Sequence, residues 1–423
     1  MTEHTVSPPE RPSLRIAELT IENFRTFRER TVIPFSDGTG AADTIATFHG
    51  GNGSGKSNAI AALDFFLRTA RLFVAHHGLE STNYSWDLAP RANTLVVSRR
   101  DRPIDAQGPT EITARFADAR LGTLTMRVHP VGDAIKLEVV GTAIAWALRG
   151  SGEYHAWLEA PFGPSSRSIA ILNASRRASW FDDKAPGDAI QPALAEALLA
   201  TRLSREPEQR ARWRDFLAAL AAVPAFAGKD ISIDRTKKDG LPELTFEERG
   251  KSVLGLDELS SGERQLVILF AGVLLAEAAI VAVEEPELSL DATSQRLFRE
   301  FLARLVQQRR IDQAIIESHV AAFDGPQVIR FHRDPGGATR VTRDPNETAE
   351  QAEITRKAKE ANATRQWVTR DGFTELPEVM RKDLGLTQGG GLWFLKGDRW
   401  EAWPDRDVDH VFGGDEPAGS EDE

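Results

Sequence analysis

Four short stretches carry residue types whose spacing suits phosphate chemistry. Gly50-Gly51-Asn52-Gly53-Ser54-Gly55-Lys56-Ser57 has the spacing G-x-x-x-x-G-K-S, which is that of a phosphate-cradling loop. Its glycines let backbone N–H groups approach an anion, and a helix beginning there adds a favourable dipole. Lys56 would reach the β- and γ-phosphates of a nucleotide, and the Ser57 hydroxyl would ligate Mg²⁺. Glu284-Glu285-Pro286-Glu287 supplies carboxylates. Such chemistry needs one to serve the Mg²⁺ and another to orient or deprotonate a water. Leu259-Ser260-Ser261-Gly262-Glu263 has serines that can cap a helix and a glycine that permits close backbone approach. His319, in Glu317-Ser318-His319, could contact a γ-phosphate, although a lone His is more often structural or solvated.

These residues need elements to place them. Thr44–Phe48 reads as a strand running into the glycine loop, and Asn58–Leu67 as a helix leaving it, with Ile60, Leu63 and Leu67 at helical spacing. Ala279-Ile280-Val281-Ala282-Val283 is a β-branched run suited to a buried parallel strand. Its carboxylates then fall at a strand's C-terminal end, where open α/β sheets bind ligands. Ala314-Ile315-Ile316 predicts a further apolar strand, and Leu266–Ala276 an apolar helix.

Upstream, residues 14–25 alternate apolar and polar side chains as a half-buried strand does, and Thr31–Phe35 gives a second strand. Glu111–Phe116, Leu121–Val128 and Ala134–Val140 predict a β-rich insertion after the first helix, and Ser168–Leu172 another strand. Residues 189–220 are helical in pattern and carry Arg202, Arg205, Arg210, Arg212 and Arg214 among Glu206, Glu208 and Asp215. The mixed signs favour a solvated face with internal ion pairs over a nucleic-acid-facing arm. Ile231–Asp234 and Leu244–Glu247 read as a hairpin.

The chain has 423 residues, enough for two or three domains, with 41% hydrophobic and 27% charged residues as in soluble globular proteins. There is no cysteine, which excludes disulfides, cysteine-ligated metals and a cysteine nucleophile. Met1–Pro12 lacks the apolar core of a signal peptide. The longest apolar run, Leu266–Val283, is broken by Gly272 and Glu277, so no membrane span and a cytoplasmic location are expected. The net charge of −11 does not favour broad nucleic-acid binding.

Taken in order, the phosphate loop, Leu259–Glu263, the strand ending in Glu284–Glu287 and the strand before His319 resemble the ABC-type ATPase heads of the SMC, RecF and OLD group. Ile21-Glu22-Asn23-Phe24-Arg25 looks like that group's N-terminal strand. The resemblance covers about residues 14–335. It implies an α/β fold: an ABC-type P-loop ATPase head with a β-rich N-terminal lobe and a helical insertion at about 189–225. It implies ATP and Mg²⁺ as ligands. Gly50, Asn52, Gly53, Gly55, Lys56, Ser57 and Asn58 would bind phosphates, with Arg25 touching the nucleotide. Ser57 and Glu284 would serve the Mg²⁺, and Glu285 would be the catalytic carboxylate. Ser260, Ser261 and Gly262 would close on ATP held by the opposite subunit. Asp291 would lie in the loop crossing between subunits, and His319 would sense the γ-phosphate. Such heads are similar in sandwiching two ATPs in a head-to-tail dimer. Glu284 stands where many of them have Asp, Ser318-His319-Val320 departs from the usual Thr-His-Ser, and only Gln107 is in position for a glutamine loop.

Residues 333–364 are polar, and 336–364 read as a linker. Residues 365–404, with the core Leu376-Pro377, Arg381 and Leu384-Gly385-Leu386, resemble the AbrB-like swapped-hairpin domain, a small C-terminal β-rich dimerisation module. Its six Lys/Arg (365, 370, 381, 382, 396, 399) balance six Asp/Glu (371, 375, 378, 383, 398, 401). That balance favours dimerisation or partner docking over phosphate-backbone binding. Residues 1–13 read as a disordered N-terminus. Residues 405–423 read as an acidic tail, and its Asp405, Asp407 and Asp409 as solvated rather than metal-binding. The expectation is an ATP-dependent switch controlling a separately encoded nuclease or toxin-like effector in prokaryotic defence. A RecF-like DNA-maintenance ATPase and an assembly scaffold with a DNA-binding module are the competitors.

Overall fold

The computed structural model describes residues 13–36, 42–77, 83–88, 101–103, 106, 108–119, 121–131, 134–141, 167–173, 190–235, 240–248, 252–320, 323, 328–343, 376, 378–387, 392–396 and 400–404. Gln107, a glutamine-loop candidate by position only, the N-terminal residues 1–12, the linker residues 344–364 and the tail 405–423 lie outside them. The chain divides into two units, Met1–Ala349 and Glu350–Glu423.

The first unit opens with strands β1 (Ile16–Glu22), β2 (Thr31–Pro34) and β3 (Ile45–His49), then helix α1 (Lys56–His77). Strands β4 (Asn83–Leu88), β5 (Thr110–Phe116), β6 (Thr123–Val131), β7 (Ala134–Gly141) and β8 (Arg167–Leu172) follow. Helices α2 (Ile190–Leu203) and α3 (Pro207–Ala221) lead to β9 (Lys229–Arg235), β10 (Pro242–Glu248) and β11 (Ser252–Gly255). The unit ends with α4 (Ser261–Leu275), β12 (Ala278–Glu284), α5 (Ala292–Gln307), β13 (Gln313–Ser318), β14 (Val328–Arg333) and β15 (Thr339–Arg343). The second unit holds α6 (Glu378–Asp383) and the antiparallel hairpin of β16 (Leu392–Lys396) and β17 (Trp400–Pro404), in which position 393 is the register partner of position 403.

Two six-stranded sheets build the first unit. One is antiparallel, in the order β2-β1-β5-β6-β7-β4. The other runs β15-β14-β3-β13-β12-β8, with all strands parallel except the edge strand β15. Helix α1 is buried between them: Ile60, Leu63, Phe66 and Leu67 share one core with Ile21 and Ile112 of the first sheet and Phe48, Ile280 and Ile315 of the second. On the opposite face, α2–α5 and the three-stranded sheet β11-β10-β9 form a second core with Val281, Val283, Ala314 and Ile316. Alternation along β12 and β13 thus feeds both cores, which explains why these strands read as continuous apolar runs. Gln313, fully buried, ties the sheets together: its amide nitrogen donates to the carbonyls of Ile16 (3.0 Å) and Asp43 (2.9 Å), and its oxygen accepts from the Ile16 amide (3.0 Å).

Three expectations change. The alternating run from 14 stops being a strand at Glu22, because Asn23 and Arg25 take left-handed backbone (φ 53° and 48°). The single helix expected over 189–220 is two, since Pro207 starts a new helix at a position where its missing N–H costs nothing. The linker expected from residue 336 begins later, because Thr339–Arg343 forms the edge strand of the parallel sheet.

Candidate nucleotide site

The loop Gly50–Ser57 links the C-terminal end of β3 to the N-terminus of α1. Gly50 and Gly55 have φ of 156° and 111°, and packing also bars a side chain at both. A Cβ on Gly50 would lie 2.2 Å from the Phe331 carbonyl oxygen of β14, and one on Gly55 2.3 Å from Thr339 Oγ1 of β15. The Thr339 hydroxyl donates to the Ser54 carbonyl (3.0 Å) and lies 2.7 Å from Thr26 Oγ1, which accepts from Asn58 Nδ2 (2.8 Å). The loop is therefore moulded by the sheet edge and by the turn after β1.

Lys56 is buried and donates through Nζ to the carbonyls of Gly50 (2.7 Å) and Gly51 (3.3 Å). Its ammonium is 3.6 Å from Glu317 Oε1, and the Ser57 hydroxyl donates to the same oxygen at 2.9 Å. Glu317 is the penultimate residue of β13, which lies between β3 and β12, and is paired in register with Glu284. Strand alternation puts Glu317 on the α1 side with Ile315, and Glu284 there with Ile280 and Ala282. Burial pushes the Glu317 carboxyl up to about 7; the Ser57 hydrogen bond and Lys56 oppose this, while the charges of Glu284 and Glu285 add to it. The buried Glu317 Oε2 has no hydrogen-bond partner among the described residues.

Glu285 has left-handed backbone (φ 44°), and its amide donates to the Glu317 carbonyl at 2.8 Å. A non-glycine residue in this region stores strain, a feature found at functional sites. Glu287, also buried, accepts from the His319 amide at Oε1 (3.1 Å), and the same oxygen lies 3.1 Å from His319 Nδ1. The His319 ring is half exposed, held from behind by this carboxylate.

The remaining expected residues have local structural roles. Ser260 caps α4: its Oγ accepts from the Glu263 amide (3.3 Å), and the Glu263 carboxylate accepts from the Ser260 amide (3.0 Å). Ser261 is the first residue of α4. Gly262 sits against the loop that follows the acidic stretch, where a Cβ would lie 2.8 Å from the Ser289 carbonyl oxygen. Asp291 caps α5, its Oδ1 accepting from the Ser294 amide at 2.7 Å. Arg25 pairs with Asp101 (2.9 Å), lies 3.4 Å from Asn58 Oδ1 and stacks over Phe24 with its guanidinium 5.3 Å from the ring centroid. Asn52 is exposed at the loop tip. Several arginines of the helical insertion are engaged internally, Arg212 with Glu277 (2.7 Å) and Arg210 with the Arg205 carbonyl (2.9 Å).

The site thus brings together Lys56, Ser57, Glu284, Glu285 and a residue not expected in it, Glu317. Glu287 and Thr339 were also not expected. The signal for Glu317 was a carboxylate continuing an apolar strand; Thr339 left none. Among the described residues no three His, Cys, Asp or Glu are grouped so as to hold a metal alone. Mg²⁺ needs no such group, since it binds through one or two carboxylates, waters and substrate phosphates. Ser57 and Glu284 fit that donor set, and the open Glu317 oxygen could accept from a cation-bound water.

Two family models match the chain: "AAA ATPase domain" over residues 15–116 and "AAA domain, putative AbiEii toxin, Type IV TA system" over residues 172–329. The first segment holds the phosphate loop, and the second holds the acidic strand end and His319. Both models describe ATPase domains of the AAA type, and such domains imply nucleotide binding. No curated protein matches it. Among solved structures, the SMC head domain from Thermotoga maritima is similar at 17% identity and a TM-score of 0.43, over 78% of this chain and 98% of that one. An Smc head bound to the C-terminal winged-helix domain of ScpA gives 17% and 0.45, over 77% and 96%. An Smc head with an extended coiled coil bound to the C-terminal domain of ScpA, derived from Pyrococcus furiosus, gives 15% and 0.44, over 82% and 99%. Among the described residues no helix is long and apolar enough to cross a membrane.

Proposed function

We propose that this chain binds and hydrolyses ATP as a switch, working as a head-to-tail dimer with two composite sites. The observation that supports this most is the convergence of Lys56 and Ser57 on Glu317 beside the Glu284–Glu285 strand end. Loop amides and the N-terminus of α1 bind the phosphates. Lys56 exchanges its loop carbonyls for phosphate oxygens. Ser57 and Glu284 hold Mg²⁺, which when bound offsets the phosphate charge. Glu285 orients a water and takes its proton, and His319, steadied by Glu287, reads the γ-phosphate. Arg25 and Asn58 flank the nucleotide. Ser260–Gly262 and Asp291 present the face that a second copy meets, and residues 365–404 add a dimer contact of the AbrB-like kind.

The output we infer is control of a separately encoded nuclease or toxin-like effector in prokaryotic defence. Its support is the resemblance to OLD-like ATPases and the toxin–antitoxin wording of the second family model. A DNA-maintenance role is the lesser reading, since the insertion's arginines are partly spent on internal pairs.

Phosphate release and particle mass with and without ATP test the proposal together. Glu285→Gln should bind ATP, lose turnover and accumulate as a dimer. Normal hydrolysis by that variant would sink the assignment.

A further inference from the structure

We propose that Glu317 is a positioning carboxylate of the metal site: it holds the Ser57 hydroxyl so that the serine lone pairs face the cation, and it offers its open oxygen to a cation-bound water. This rests on the ATP reading above. Glu317 is the penultimate residue of the strand that separates the phosphate-loop strand from the acidic strand, with register partners Phe48 on one side and Glu284 on the other. Among the described residues no other strand lies between the two halves of the site in the sheet order.

A serine hydroxyl has one proton and two lone pairs. Donating that proton to Glu317 Oε1, as it does at 2.9 Å, leaves both lone pairs for a metal. The second oxygen, Oε2, is buried and lacks any hydrogen-bond partner among the described residues, an arrangement that costs free energy unless something fills it. The Glu317 side chain is only 5% exposed and carries one nearby cation, Lys56 at 3.6 Å. Once Lys56 turns to phosphate, Glu317 stands beside Glu284 and Glu285 with that charge removed. A divalent cation restores the balance for the buried Glu317 carboxylate. A strand end with a purely structural role needs no carboxylate here.

The test uses the full chain and a fluorescent ATP analogue, titrated in EDTA and again with Mg²⁺. Mn²⁺ paramagnetic resonance in the presence of ADP reports the metal directly. Glu317→Gln should lower the metal's enhancement of nucleotide affinity about 10–100-fold, the usual effect of removing a residue that orients a metal ligand. Affinity in EDTA should stay level or tighten, because Lys56 is released. The loss should not add to that of Ser57→Ala. Thermal melting in EDTA checks folding, and Glu317→Asp, which keeps the charge but retracts it, should lose part of the enhancement. Wild-type metal enhancement in both variants would overturn this role and leave the ATP reading standing. A parallel fall of affinity in EDTA would overturn it too, by showing that Glu317 only shapes the loop. Failure of the wild type to bind nucleotide at all would overturn both.

Discussion

The Ser57 hydroxyl donates to Glu317 across 260 residues of sequence, at 2.9 Å, and Lys56 closes on the same carboxylate oxygen. The two residues that should hold nucleotide and metal are thus engaged by a third carboxylate, and its charge state is tied to the fold.

That tie gives a pH dependence. The Glu317 carboxyl ordinarily titrates near 4.5 and is raised to about 7 in the fold, chiefly by burial. Below 4.5 both the folded and unfolded chains hold its proton, and the contribution to stability is fully present. Between 4.5 and about 7 only the folded chain holds it, so stability from this group falls as pH rises and is lost above about 7. The span is on the order of 3 kcal/mol. Glu317→Gln, which cannot ionise, should melt progressively higher than the wild type as pH rises from 5 to 8 in nucleotide-free buffer. A melting difference independent of pH would refute this.

Gly55 should matter for the fold before any nucleotide arrives. Gly55→Ala forces a side chain into left-handed backbone and against Thr339 Oγ1. The expected cost is about 2–4 kcal/mol, read as a lower melting temperature of the nucleotide-free protein. Unchanged melting with lost binding alone would mean that the glycine serves only the ligand.

Gly262 carries a similar constraint at the other end of the sequence. Gly262→Ala should push back the Ser289 carbonyl, whose residue already has φ of 66°. A loss of about 1–3 kcal/mol is expected. If calorimetry shows none, the loop after the acidic stretch yields freely and Gly262 is kept for contacts outside its own chain.

Glu287 and His319 should behave as one unit. Glu287→Ala and His319→Ala should each slow phosphate release, and the double variant should be no slower than the worse single one. Additive losses would show that the carboxylate acts apart from the ring.

Much of this was legible in local sequence. The strand–loop–helix at 45–77 and the acidic strand end each lie in one short stretch with one period. What escaped was set by sheet order and long-range contact. Glu317 enters the site only because β13 lies between β3 and β12. Thr339, in a polar run read as linker, matters because an antiparallel edge strand brings it onto Gly55. The helix break at Pro207 was readable from proline's preference for a first turn, yet the apolar pattern ran on through it. Ser260 and Asp291 fit their positions as ordinary helix caps, so their presence alone argues for no ligand.

The lock of Thr339 on Ser54 joins positions 285 residues apart. A ribosome adding ~5–20 residues per second reaches Thr339 roughly 15–60 s after Ser54 has been made. Throughout that interval the growing chain carries a glycine loop that has Lys56 and the Asn58–Thr26 bond beside it but lacks its sheet-edge lock. The finished shape of the loop therefore arrives late in synthesis, when β15 takes its place at the edge of the sheet.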